Sequence, residues 1–367
     1  MIRQLKPNEF NQAINFANQI FFKNGENDFL KLQPKVYKHP KQFYINHYIY
    51  EMDNKIVGLF GSYPFKYQEL MVLGIGTVCV DANFRNQGIM QKMFSFIDTS
   101  IAFEYDLLYL MGDKKRYEHF GFYKTGQKIS FRIKESSFKD ISYKKYLINS
   151  YQDSNQEINQ EIFNLYKKNK KVKREQFNFY DALKTLSYDI YLIYDNVIVG
   201  YLVYERKNNV IKEIVTSQAN LTDILINFIA LLNVLDIYYE VSIDDENISL
   251  LYDLSDNYHI SNLANFKIIN YVKVIEKLLN KKTNLKKGLL TINIIDKINI
   301  LIEVNDEVKV KKIPDQISYD LVVTEKEAHI LLFDNKYFND EKHQKSDLIT
   351  SYFPLVLPVS ITSIESF

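Results

Sequence analysis

The stretch that most constrains this chain is Gly76-Thr77-Val78-Cys79-Val80-Asp81-Ala82-Asn83-Phe84-Arg85-Asn86-Gln87-Gly88-Ile89-Met90-Gln91-Lys92-Met93-Phe94. It opens with a β-prone run that ends at Val80. From Gly88 onward, Ile89, Met93, Phe96 and Ile97 fall on one helical stripe. Arg85, Asn86, Gln87 and Gly88 occupy the join. A strand that turns tightly into a helix leaves the helix's first N–H groups without intrahelical partners. The positive end of the helix dipole lies at the same spot. Together they make a ready anion site, and a diphosphate suits it. Gly88, having no Cβ, lets the main chain come close to such a guest.

Arg85-x-x-Gly88-x-Met90, following Val78-Cys79-Val80, resembles the acyl-CoA pyrophosphate loop of the GNAT acetyltransferases. That family's pattern is Arg/Gln-x-x-Gly-x-Gly/Ala, and Met90 stands at its last position. Further along, Tyr117-Glu118-His119-Phe120-Gly121-Phe122 is similar to the family's second signature, an aromatic Tyr followed by Phe-Gly-Phe. The resemblance implies acetyl-CoA as co-substrate and no metal. It places cofactor contacts at Val78, Cys79, Val80, Arg85, Asn86, Gln87, Gly88, Ile89, Met90, Gln91, Gly112 and Asp113. It makes the phenol of Tyr117 the general acid that protonates the departing thiolate, a group still protonated at neutral pH. Each residue has a plainer reading. Tyr117 is one of 28 tyrosines, set apart by its place four residues before Gly121. Arg85 could bind phosphate or simply cap the fold. His119 reads as a surface or packing residue rather than a base. Cys79, inside an apolar strand, reads as a small buried side chain rather than a nucleophile.

The length of 367 residues suggests two or three domains. Lys and Arg number 46 against 45 Asp and Glu, for a net charge of +1. No global field draws such a chain to nucleic acid or to an acidic membrane. The basic run from Lys167 to Arg174 reads as a solvated face. The single cysteine fits a reducing compartment. Met1 to Lys6 do not form a signal peptide, and the apolar run from Ile224 to Leu235 is too short to span a bilayer. The expectation is a cytoplasmic protein with no nucleic-acid or membrane partner.

Along the first segment the spacing predicts an amphipathic helix from Phe10 to Phe21. Strands follow over Tyr48 to Met52, Lys55 to Tyr63 and Glu69 to Val80, the first two joined at Asp53-Asn54. The loop and helix come next, to about Phe103, then a strand from Leu107 to Met111 and a short helix capped by Asp113. The order is α/β. In the second segment Asp195-Asn196-Val197-Ile198-Val199-Gly200 echoes Asp53-Asn54-Lys55-Ile56-Val57-Gly58. A strand (Val210 to Thr216), an apolar helix (Leu221 to Leu235) and a strand (Tyr238 to Ser242) follow the echo. Ser217, Gln218, Ala219 and Asn220 replace the phosphate loop. This reads as a second copy of the fold with no means of holding a diphosphate. The third segment gives a short helix near Val272 to Leu279. Strands follow around 289–294, 299–304, 307–312 and 319–323, then a helix from Glu325 to Leu332.

This order resembles chains of the Eis (enhanced intracellular survival) type. The fold class expected from that resemblance is α/β (α+β): tandem GNAT folds, the second degenerate, followed by a sterol-carrier-protein-like domain. The boundaries are 1–128, 129–268 and 269–367. An apolar tail from Ser351 to Phe367 should be tied down, which half-buries a carboxylate in need of partners. Taken alone, it reads as a terminal strand with its carboxylate at the surface. The resemblance instead brings the tail into the active site, with the Phe367 α-carboxylate as general base. It also implies an amine acceptor (aminoglycoside, polyamine or lysine-like) and a homo-oligomer, a hexamer in that family. Glu26, Asp28 and Glu365 are candidates, by position only, for meeting a cationic acceptor. Two rival classes stand beside this reading: a binder of apolar ligands, and a scaffold with an inactive transferase domain.

Overall fold

The fold was analysed in a computed structural model, which describes residues 1–22, 28–67, 69–152, 155–169, 174–217, 219–334 and 346–357. The chain forms two compact units. One gathers Met1–Ile2, Phe60–Gln127 and Asn262–Leu357; the other holds Arg3–Leu59 and Lys128–Ser261.

The first unit contains the strand–loop–helix. Strand Leu70–Val80 runs parallel to strand Leu107–Leu110, in register from Val72↔Leu107 to Ile75↔Leu110. The helix that connects them, Ile89–Phe96, buries Ile89, Met93 and Phe94. It stops short of Phe103. At Ile97–Ile101 the helix widens into a looser turn, and Ala102–Glu104 tightens into another. Asp98, Thr99 and Ser100 lie there, and the Thr99 hydroxyl donates to the Ser95 carbonyl at 2.9 Å, the local competition that weakens helices at such residues. On its other side, Leu107–Leu110 pairs with the end of a strand from far along the chain, Ser255–Ile268. The register runs from Asn265↔Leu110 to Ile268↔Leu107, antiparallel.

The same unit carries a four-stranded sheet. Gly288–Ile294, Ile298–Val304 and Val308–Lys312 form an antiparallel meander, and Leu321–Val323 lies parallel to the first of them. Along residues 290–294 and 300–304, buried residues alternate with half-buried ones, as a sheet more deeply covered on one face requires. Helix Tyr271–Leu279 turns Tyr271, Val274, Ile275, Leu278 and Leu279 inward. Helix Glu325–Phe333 starts at a capping box between Thr324 and Glu327. These elements follow the order read from the sequence.

The second unit begins with helix Phe10–Phe21, strand His47–Met52 and the hairpin turn into strand Lys55–Tyr67, whose residues from Phe60 onward belong to the first unit. Asp53 (φ 49°) and Asn54 (φ 59°) both adopt the left-handed turn conformation that tight hairpins need. Arg3 ties the start of the chain to this hairpin, at 2.6 Å from Glu9 and 3.0 Å from Glu51. The echoing hairpin, Asp189–Asp195 and Val197–Glu205, turns instead on Asn196 alone (φ 64°). Val210–Thr216 then pairs antiparallel with Val197–Glu205 and parallel with Asp236–Ser242. Helix Leu221–Leu232 connects the two parallel strands and ends at left-handed Asn233. One face of these strands packs on Ile224, Leu225, Phe228 and Ile229 of that helix. The other face packs on Ile162, Phe163 and Tyr166 of helix Gln156–Asn169.

The basic run is split in character. Lys167 and Lys168 are exposed. Arg174 is buried, with two 2.8 Å hydrogen bonds to the Glu213 carboxylate and its guanidinium 4.3 Å from the centre of the Tyr166 ring. Positions 170–173 lie outside the described residues. No helix among the described residues is long and apolar enough to cross a membrane.

Candidate active site

The site lies in the first unit, where the strand Leu70–Val80 runs on past the end of its parallel neighbour. Pairing stops at Ile75↔Leu110, so Gly76 to Val80 continue without a strand on that side. Thr77 takes a left-handed conformation (φ 52°) inside the strand. β-branched side chains rarely adopt that conformation. Strain of this kind collects at ligand sites. Val78 and Val80 are half-buried and Cys79 is buried.

The loop then turns in two steps. Asp81 accepts from the Asn83 amide at 2.8 Å and from the Phe84 amide, through its carbonyl, at 3.0 Å. Those bonds use up the first amides. The N–H groups of Asn86, Gln87, Gly88, Ile89, Met90 and Gln91 meet no acceptor among the described residues. Asn86 (φ 62°) and Gly88 (φ 72°) are both left-handed, and Gly88 opens the helix with no side-chain cap. A Cβ added at Gly88 would meet no heavy atom within 4 Å. The conformation, not packing, calls for glycine here, and the space in front of it is free for a ligand. Arg85 is exposed and has no carboxylate partner among the described residues. A run of unpaired amides at the positive end of a helix, beside a free guanidinium, can hold a diphosphate.

Gly112 and Asp113 follow the end of strand Leu107–Leu110. Gly112 has φ 143°, and a Cβ there would come within 2.7 Å of Cε2 of Tyr117. The ring of Tyr117 therefore rests on the Gly112 main chain. Asp113 starts the short helix Lys114–Tyr117: its carboxylate accepts from the Lys115 amide at 3.1 Å and its carbonyl from the Arg116 amide at 3.1 Å. Tyr117 is 6% exposed. Its ring meets Phe94 of the loop helix edge-on, 5.9 Å between centres, and Phe94 also stacks on Phe120 at 4.1 Å. The second motif thus packs on the helix that follows the first. Burial pushes the phenol of Tyr117 above the ordinary tyrosine value. Arg116 pulls it back in part, and nearby Cys79 and Asp113 push it up. A phenol so placed stays protonated through the neutral range and can give its proton to a thiolate.

The structure therefore brings together Val78 to Val80, Arg85 to Gln91, Gly112, Asp113 and Tyr117 within one unit. His119 is exposed. Asp28 serves as a helix cap, accepting from the Lys31 amide at 2.8 Å. Glu26, Glu365 and Phe367 lie outside the described residues. Asn265 belongs to the site and was not foreseen: its side chain donates to the carbonyls of Leu110 (3.4 Å) and Gly112 (3.1 Å). Ala264, Phe266 and Ile268 alternate with Asn265 and Lys267, a pattern that announces a strand but not the neighbour it pairs with. Among the described residues no group of three His, Cys, Asp or Glu side chains could hold a metal.

Residues 1–125 match the acetyltransferase (GNAT) domain. No curated protein matches the chain in sequence. Solved structures do share the fold. A probable N-acyltransferase from Enterococcus faecalis V583 is 14% identical, with a TM-score of 0.68, covering 98% of this chain and 97% of that one. A GCN5-related N-acetyltransferase from Anabaena variabilis is 14% identical at a TM-score of 0.65, over 97% of each chain. Eis1 from Mycobacterium abscessus is 13% identical at 0.65, over 98% of this chain and 99% of that one. Along nearly its whole length the chain shares its fold with such proteins, and its first 125 residues match the acetyltransferase (GNAT) domain.

Proposed function

We propose that the protein is an acetyl-CoA-dependent N-acetyltransferase of the Eis type, acting by direct attack in a ternary complex. The observation that carries this reading is the row of unpaired amides from Asn86 to Gln91 in front of an uncapped helix, with Tyr117 nearby on the same helix's aromatic face. The loop amides and Arg85 hold the diphosphate of acetyl-CoA, and the main chain of Val78 to Val80 guides its arm. An N–H near Val80 stabilises the oxyanion that forms on the thioester carbonyl. A neutral primary amine attacks that carbonyl. The C–N bond forms, the C–S bond breaks, and the amine proton passes to the Phe367 carboxylate directly or through water. The Tyr117 phenol protonates the thiolate of CoA. Most of the rate advantage is positioning of the two substrates.

The acceptor class follows the same resemblance: aminoglycosides, polyamines or lysine side chains. So do the organisation as two GNAT-like folds and a sterol-carrier-like domain, the cytoplasmic location and a homo-oligomer of the hexameric kind. The order hairpin, strand, helix, parallel strand over residues 189–242 supports the second copy. The four-stranded sheet with its two helices supports the third domain.

The test is turnover of acetyl-CoA against an amine panel of spermine, kanamycin and a lysine peptide. Wild type is compared with Tyr117→Phe and with Phe367 deleted. Each variant should lose about 10²- to 10⁴-fold in kcat, the usual worth of a general acid or base. Full rate in both would remove the assigned acid and base. Failure of wild type to bind acetyl-CoA would leave the scaffold or apolar-ligand reading.

A further inference from the structure

We propose that Asn265, which lies nearly half the chain away from the loop, is a positioning residue for proton transfer: it fixes Gly112 and, through Gly112, the ring of Tyr117. The inference rests on the reading of Tyr117 as general acid. Asn265 sits opposite Leu110 in the sheet and is 1% exposed. Its Nδ2 donates to Leu110 O at 3.4 Å and Gly112 O at 3.1 Å. Two carbonyl oxygens facing one end of the carboxamide require nitrogen at that end, so the donor cannot be exchanged for the acceptor by a flip.

Gly112 is thus held from two sides. Its carbonyl is gripped by Asn265, and its Cα carries the Tyr117 ring, so close that a Cβ would lie 2.7 Å from Cε2. The short turn between them is fixed by Asp113, which accepts from Lys115 and Arg116. A shift of Gly112 moves the phenol with it.

The other end of the carboxamide gives the second observation. Asn265 Oδ1 is buried and has no hydrogen-bond partner among the described residues. An unpaired buried acceptor costs stability. If the position served packing alone, a leucine of similar volume would fill it without that cost. A carboxamide is accounted for by the need to hold the Gly112 carbonyl, a local penalty of the sort proteins accept at functional sites.

A double-mutant cycle tests this, read with the fastest amine of the panel. Asn265→Leu should lower kcat about 10- to 100-fold while KM for acetyl-CoA stays within about twofold, since a small misplacement costs rate rather than binding. In the Tyr117→Phe background the same change should cost nothing further, because the group it positions is gone. Asn265→Asp supplies a conservative check and a second variant should the leucine protein not fold. Beside two carbonyls its carboxyl can donate only when protonated, so its kcat relative to wild type should recover as pH falls. Losses that add in the double variant, wild-type kcat in Asn265→Leu, or no recovery with Asn265→Asp would each overturn the inference. If Tyr117→Phe itself keeps the wild-type rate, or no amine is acetylated, the underlying assignment falls first and takes this one with it.

Discussion

Two helices in this molecule follow a strand and lead to a parallel strand, and they begin in opposite ways. Ile89–Phe96 starts at Gly88, left-handed and without a side chain, and leaves a row of amides facing outward. Leu221–Leu232 starts at Asn220, whose side chain accepts from the amides of Thr222 at 2.8 Å and Asp223 at 3.4 Å. The asparagine gives its own helix what an anion would give the other. A pair of arginines repeats the contrast. Arg85 beside the open end is exposed and meets no carboxylate among the described residues, whereas Arg174 is buried against Glu213 and the ring of Tyr166. The same local order of elements can be a ligand site or a sealed structural element. The capping residue and the pairing of its nearest guanidinium decide which.

The contrast can be sharpened at three places. The largest effect is expected from Arg174→Ala. Leaving the half-buried Glu213 carboxylate with the Tyr201 hydroxyl in place of its guanidinium partner should lower unfolding free energy by about 3 kcal/mol in denaturant titrations, while Arg85→Ala should leave stability unchanged. Next comes Gly88→Asp. Strain of about 1–2 kcal/mol for a non-glycine residue at left-handed φ, and a like charge facing the diphosphate, should weaken acetyl-CoA binding by about thirtyfold or more in calorimetry. Unchanged affinity would mean that the open end is not the anion site. The smallest effect is expected from Asn220→Ala. Loss of a cap should cost about 1 kcal/mol of stability and should neither reduce turnover nor create a second acetyl-CoA site. A second equivalent of bound acetyl-CoA would break the comparison.

What could be read from the sequence was short in range. The strand, turn and helix of 76–94 announce themselves through an apolar run, a polar break and a stripe of Ile89, Met93 and Phe96, and all three elements are present. The meander of 288–323 was visible for the same reason, each strand alternating over a few residues. Long-range features left no such trace. Thr77 is β-branched and gives no hint of its positive φ. Arg174 ends a lysine-rich run whose charge suggested solvent, and only the sheet reveals Glu213 as its partner. Asn265 alternates with apolar Ala264, Phe266 and Ile268 near the end of strand Ser255–Ile268, a pattern that marks a strand but not its partner, and it closes on Gly112.

That late strand has a consequence for how the protein is made. Leu107–Leu110 gains its second neighbour only from residues 265–268, so on the ribosome its free edge must wait while roughly 150 residues, at ~5–20 per second, are added. During those seconds the nascent strand exposes unsatisfied edge of the kind that invites wrong partners. Maturation of the candidate site is thereby tied to arrival of the chain's last third.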